Sequence, residues 1–233
     1  MKMKKYFSGA LALVALMAAT SANAGIVVMP TSYSSSHIVF DNTDTTLIGG
    51  VTFASSGTYD GIAFSQWTGN VSTSKALSAG VSAVATASYG TNRTGLGGDQ
   101  QYATVTYTSG NAPGSLTISG LDSSKSYHIQ YGFQDGRNGS YPYHVTATLT
   151  LSDTTNATTD LSIGASGTSD DYALILATVS GTTSLKLDLP TSTFNGVGSI
   201  FNAFSVHETI PEPSAALLGG MGLLGMLTRR RRA

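Results

Sequence analysis

LTISGLDSSKSYHIQYGFQDGR, residues Leu116 to Arg137, is the stretch from which the fold of this chain is read. Leu116 to Ile118 alternates as a short strand. Ser119-Gly120-Leu121-Asp122 with Ser123-Ser124-Lys125 then reads as a turn. Ser126 to Asp135 alternates again over a longer distance. Tyr127, Ile129, Tyr131 and Phe133 fall on one side of that strand, and His128, Gln130 and Gln134 on the other. Three aromatic rings and an isoleucine on one face make a core face, because such rings bury large apolar areas against a second layer. The stretch reads as strand, turn, strand with one side committed to a core.

The same rhythm extends outward in both directions. Upstream, Ile38 to Phe40, Leu47 to Phe53, Gly61 to Trp67 and Gln101 to Thr108 read as strands. The turns Asp41-Asn42-Thr43-Asp44 and Tyr59-Asp60-Gly61 separate the earlier ones. Lys75 to Tyr89 is ambiguous: its alanines permit helix, while Gly80 and the Val, Thr and Ser content favour strand. Gly95 to Gln101 (GLGGDQQ) is a glycine-rich loop and not a phosphate cradle, since no Lys-Ser/Thr follows it. Downstream, Val145 to Leu151 carries Thr146, Thr148 and Thr150 on its outward side. Leu161 to Ile163, Tyr172 to Val179, Leu185 to Leu189 and Ser199 to Val206 follow at steady spacing. Short strands of this kind between turn clusters predict an all-β chain, a single sandwich.

The two ends of the 233-residue chain have a different character. Lys2, Lys4 and Lys5 precede an apolar run from Phe7 to Met17, and Ala22-Asn23-Ala24 supplies a small-x-small cleavage pattern. This predicts a signal peptide over residues 1–24 with Gly25 as the first residue after cleavage by signal peptidase. At the other end Pro211-Glu212-Pro213 is followed by an uncharged run from Ser214 to Thr228 and then by Arg229, Arg230, Arg231 and Arg232. The prolines restrict φ and remove backbone donors, so the folded part ends there. The uncharged run can enter hydrocarbon as a helix, and the arginines hold its end on the cytoplasmic side. Fifteen residues rise only about 22 Å as a helix, short of a ~30 Å hydrocarbon core, which keeps a marginal, unprocessed anchor open as an alternative.

This tail resembles the PEP-CTERM sorting signal of exported bacterial proteins, in the order and position of all three parts. The resemblance implies recognition by exosortase, a membrane processing enzyme, transient or stable residence in the inner membrane, and delivery to the cell surface or extracellular matrix of an exopolysaccharide-producing biofilm. It covers about a tenth of the chain. A looser resemblance, over the quoted stretch and its closing Asp135-Gly136-Arg137, is to PEP-CTERM sandwich domains and implies a jelly-roll or galactose-binding-like sandwich. Asn202-Ala203 is similar to a pair in the closing strand of such domains. The expected organisation is a signal peptide at 1–24, a β-sandwich domain at 25–207, and a linker with the sorting signal at 208–233.

Charge and composition exclude several functions. The chain has 12 Lys and Arg against 13 Asp and Glu. Seven of those cations and only Glu212 among the acids lie in the two end segments, which leaves five against twelve and a net charge of about −7 between them. Such a surface is unsuited to nucleic acid. Cysteine is absent, so thiol nucleophiles and thiolate metal sites are excluded. His37, His128, His144 and His207 show no metal-binding spacing. No G-x-S-x-G elbow is present. Glu208 is the one glutamate before the tail and is expected in the linker, so paired carboxylates for glycoside cleavage would have to be aspartates, most of them in turn contexts. Calcium at Asp41, Asp44 or Asp170-Asp171 lacks the D-x-[DN]-x-[DN]-G pattern, and no cofactor is expected. Asn70, Asn92, Asn138 and Asn156 begin N-x-S/T triplets of the kind a Ser/Thr-rich chain contains by chance.

One polar group remains. Asp135 and Arg137 stand at a strand end, where sandwich loops gather, and form either a structural brace or part of a ligand rim. With Asn138, Tyr141 and Tyr143, Arg137 can make a sugar-binding rim, the rings stacking on sugar faces and the polar groups meeting hydroxyls. The functional expectation is a non-catalytic surface or matrix protein that binds exopolysaccharide. The alternatives are a secreted polysaccharide-active enzyme and a structural matrix protein without a ligand.

Overall fold

A computed structural model describes residues 24–33, 44–53, 56–59, 61–67, 74–78, 80–85, 89–94, 104–108, 113–134, 143–163, 172–190 and 200–210. Every regular element of more than one residue among them is a strand. In chain order these are β1 (Gly25–Tyr33), β2 (Thr45–Thr52), β3 (Gly57–Tyr59), β4 (Ile62–Gln66), β5 (Lys75–Ala76), β6 (Ser82–Ala85), β7 (Tyr89–Thr94) and β8 (Thr104–Thr108). They continue as β9 (Gly114–Ser119), β10 (Ser126–Gln134), β11 (Tyr143–Leu151), β12 (Asn156–Ile163), β13 (Tyr172–Ser180), β14 (Ser184–Leu189), β15 (Ile200–Phe201) and β16 (Ala203–Thr209).

The strands form two large sheets and a small one. A seven-stranded sheet has the order β1-β13-β10-β16-β2-β4-β3, a six-stranded sheet β12-β11-β14-β9-β6-β5, and a three-stranded sheet β15-β8-β7. Pairing is antiparallel except for β2 with β4, which run parallel from Gly50 opposite Phe64 to Thr52 opposite Gln66. One apolar core takes side chains from both large sheets. Tyr127, Ile129, Tyr131 and Phe133 of β10 enter it with Ile175, Ala177 and Val179 of β13 and Phe204 and Val206 of β16. Opposite them stand Leu116 and Ile118 of β9, Ala147, Leu149 and Leu151 of β11, and Leu185, Leu187 and Leu189 of β14. Two sheets facing each other over one core make the chain sandwich-like. Tyr131 packs on Phe204 with ring centres 6.5 Å apart, and Phe53 stacks on Trp67 at 5.8 Å.

The quoted stretch folds as its pattern requires. β9 and β10 are its two strands, and all four residues of the expected core face of β10 are buried. Gly120 sits in the turn at φ +85°, and a Cβ there would run into the backbone oxygen of Gly80, so only glycine fits. Asp122 accepts hydrogen bonds from the Ser124 backbone N–H and hydroxyl, closing the turn and holding its carboxyl below the usual range. β11 also alternates as expected, with Ala147, Leu149 and Leu151 buried while Thr146, Thr148 and Thr150 point outward.

One ambiguous stretch resolves as strand, and two expectations change in detail. Lys75 to Tyr89 contains no helix among its described residues; β5 and β6 form a hairpin around Gly80, whose φ of +78° breaks any helix there. The final stretch is two strands, because Asn202 interrupts it: its N–H donates to Gly132 O and its carbonyl accepts from Phe53 N–H, both at 3.2 Å. β15 thereby pairs with β8 while β16 joins the seven-stranded sheet. Glu208 is no linker residue, since β16 continues to Thr209 and Glu208 lies 2.8 Å from Lys125 Nζ. β1, β3 and β7 fall where the sequence pattern predicts no strand. Ile38 to Phe40, the Asp41-Asn42-Thr43 part of the first turn, the Gly95–Gln101 loop and the apolar run Ser214–Thr228 lie outside the described residues, apart from Asp44.

Candidate functional site

The strand registers sort the connections into two ends. At one end β1 starts (Gly25), β13 ends (Ser180) and β10 starts (Ser126), all in one row, with the end of β16 beside them. The connections here are short: 120–125, 152–155 and 181–183. At the other end Tyr33 stands opposite Tyr172 and Tyr172 opposite Gln134, while Tyr143 stands opposite Ile163 in the second sheet. The connections there are longer: 135–142, 164–171 and 190–199.

Of the predicted rim residues only Tyr143 is described, and its backbone stands at the long-connection end. Asp135, Arg137, Asn138 and Tyr141 lie outside the described residues, on the chain that leaves β10 at Gln134 in one sheet and enters β11 at Tyr143 in the other. Tyr143 opens β11. The registers add Tyr33 and Tyr172 to the same end, two residues that sequence reasoning did not include. Their signal was present: each stands at the border between an apolar run and a segment rich in Ser, Asp or Gly. What no local pattern contains is that these borders, more than a hundred residues apart, lie side by side.

The short-turn end is held by a set of polar contacts centred on the buried Thr182. Thr182, 1% exposed, donates from its hydroxyl to Ser184 O at 2.7 Å and accepts from the Ser152 and Ser184 N–H groups at 3.2 and 3.3 Å. Ser152 Oγ lies 3.1 Å from it and accepts from Thr183 N–H. Gly120 and Leu121 both donate to Thr183 O at 3.1 Å. Asp122 N–H donates to the Tyr127 hydroxyl at 2.9 Å. Three turns from both sheets are thus joined.

The outward face of the seven-stranded sheet holds a second polar group. His128 of β10 is directly opposite His207 of β16, and Gln130 is opposite Ser205. This face is buried too, with Leu174 and Leu176 of β13 and Ile62 and Phe64 of β4 on it. Gln130 is 5% exposed and its Oε1 has no hydrogen-bond partner. His207, 2% exposed, lies with Nε2 3.2 Å from Ser205 Oγ and Nδ1 3.5 Å from Thr45 Oγ1. Burial, then the neighbouring His128, pushes the His207 imidazole down to about 4, and burial lowers His128. Both rings are therefore neutral at pH 7.

This arrangement has the parts of a hydrolytic site without its geometry. A hydroxyl and an imidazole touch, yet the third partner is the Thr45 hydroxyl and not a carboxylate that would orient and charge-balance the ring. Ser205 is 1% exposed, so a substrate has no access to its oxygen. Among the described residues no group of three or more His, Cys, Asp and Glu side chains stands together to hold a metal. Of the aspartates considered for calcium, Asp44 is exposed beside β2, and Asp41, Asp170 and Asp171 lie outside the described residues.

Of the residues assigned to export, Ala22, Pro211, Glu212, Pro213 and Arg229 to Arg232 lie outside the described residues. Ala24 packs against the core and Gly25 opens β1. Among the described residues no helix is long and apolar enough to cross a membrane. No family model matches the chain, and none of the curated proteins matches it in sequence.

Proposed function

We propose that this chain is an exported PEP-CTERM-type protein whose jelly-roll or galactose-binding-like domain acts at the cell surface or in the extracellular matrix as a non-catalytic binder of exopolysaccharide. The observation that carries the reading is the order Pro-Glu-Pro, uncharged apolar run, four arginines, placed directly after the last strand. β16 remains hydrogen-bonded through Thr209, whose hydroxyl donates to Ser126 O, and Ile210 N–H donates to Asp44 O at 2.7 Å. The folded unit thus extends to the residue before Pro211, as a domain joined to a separate sorting tail would. At the front, β1 starts on the residue expected to follow the signal peptide.

Intact mass of the protein recovered from cells and from medium tests the sorting part. A released species running from Gly25 to the neighbourhood of Pro211 is expected. A cell-bound species that retains Arg229 to Arg232 makes the tail an unprocessed anchor and removes exosortase from the reading. Binding to extracellular polysaccharide without turnover, weakened by Arg137→Ala or Tyr143→Ala, tests the domain's role. Release of reducing ends from that polysaccharide overturns it in favour of a glycan-active enzyme, and no binding leaves a structural matrix protein.

A further inference from the structure

The registers place the start of β1 and the end of β16 at the short-turn end, because Gly25 and Ser126 both face Ser180 and Glu208 faces Tyr127. The tail therefore departs from the end opposite Tyr33, Tyr143 and Tyr172. The distance between the ends is set by the strands: β10 has nine residues, and at about 3.3 Å each it spans roughly 30 Å. The tether is much shorter. Ile210 is held by Asp44, and Pro211 to Pro213 are the residues between it and the apolar run, a reach of at most about 11 Å. A domain on so short a tether cannot turn over to bring its far end to the bilayer. Its net charge of about −7 between the signals also opposes lying flat on anionic lipid.

We propose that the anchored protein stands with its short-turn end at the membrane and directs the long-connection end outward, so that the Tyr33, Tyr143 and Tyr172 end is the surface offered to extracellular polysaccharide. This rests on the reading of Ser214 to Thr228 as the membrane-inserted segment.

The chain lacks cysteine, so single labels can be placed without background. Ser123→Cys lies in the exposed turn before β10, at the short-turn end. Pro190→Cys lies at the exposed end of β14, six residues or about 20 Å beyond Ser184. The full chain is reconstituted into phosphatidylethanolamine–phosphatidylglycerol vesicles carrying a headgroup acceptor dye, and energy transfer is read from each label. Transfer from position 123 should exceed that from position 190 by roughly two-fold for the ~20 Å difference in height. Equal or reversed transfer in chains that float with the vesicles overturns the orientation while leaving the anchor in place. Failure to float with the vesicles overturns the anchoring reading, and the orientation with it.

Discussion

The two ends of the sandwich solve opposite problems. At the short-turn end connections of three to six residues reverse the chain, two of them passing between sheets, and they do so with special backbone geometry and hydrogen bonds centred on the buried Thr182. Gly120, Gly181 and Thr154 all have positive φ there, and Thr182 links two turns through one hydroxyl. At the long-connection end the strands are joined by segments of eight to ten residues. An end whose turns are set by tight geometry has little room for variation. The opposite end can change its loops while the core stays as it is, which is where sandwich proteins gather binding residues.

The contrast can be broken most forcefully at Gly120. Gly120→Ala puts a Cβ against the Gly80 backbone and holds a non-glycine residue at φ +85°, and it should destabilise the chain by about 3 kcal/mol, read from the urea midpoint. Thr182→Val keeps the shape and removes the hydroxyl that serves Ser152 and Ser184. Leaving those groups without their partner at this part-buried site should cost about 2 kcal/mol.

A smaller effect separates the outward face of the seven-stranded sheet from either end. His207 has a folded value of about 4 against about 6.5 when unfolded. Below 6.5 the unfolded chain binds the proton first, so stability present above pH 6.5 is lost as pH falls towards 4. The loss should be on the order of 1–2 kcal/mol after allowance for solvent screening of the ring. No charged side chain on the described parts of β1, β2, β13 or β4 opposes this, because Asp44 is exposed beyond the start of β2 and Glu208 is paired with Lys125. Urea midpoints between pH 7.5 and 4 should fall less steeply for His207→Gln than for the native chain. Identical slopes would remove His207 from the account. The smallest effect belongs to the long-connection end. Eight Gly and Ser residues inserted after Gly136 double the connection 135–142 and should cost only about 0.6 kcal/mol, whereas the same insertion after Ser123 breaks the Asp122 turn and should cost several times as much.

Much of the core was legible from single strands. Alternation in β10, β11 and β14 reports which side chains face inward, because successive residues of a strand point to opposite faces. The same reasoning does not reach the state of the other side of β10. His128 and Gln130 fall on the side away from the core face, yet that side is covered too, with Gln130 5% exposed. β13 hints at this burial: Tyr172 to Val179 is apolar on both faces, as strands covered on both sides are. β1 was invisible because Gly25 to Tyr33 contains Pro30 and little alternation. It is an edge strand supported by β13, and proline is admissible at an edge.

By itself the sequence determines that this chain is all-β and which faces of its strands are apolar, and it predicts an export signal on either side of the folded part. These are local properties, carried by period-two patterning, turn residues and charge-free runs a few residues long. Only the tertiary structure decides that β10 lies between β13 and β16, that Tyr33, Tyr143 and Tyr172 share one end, and that β16 ends at the other. Alternation tells a strand which face to bury but not which neighbour to take. Partner and register follow from closing two sheets over one core, a condition on the whole chain that no stretch of it contains.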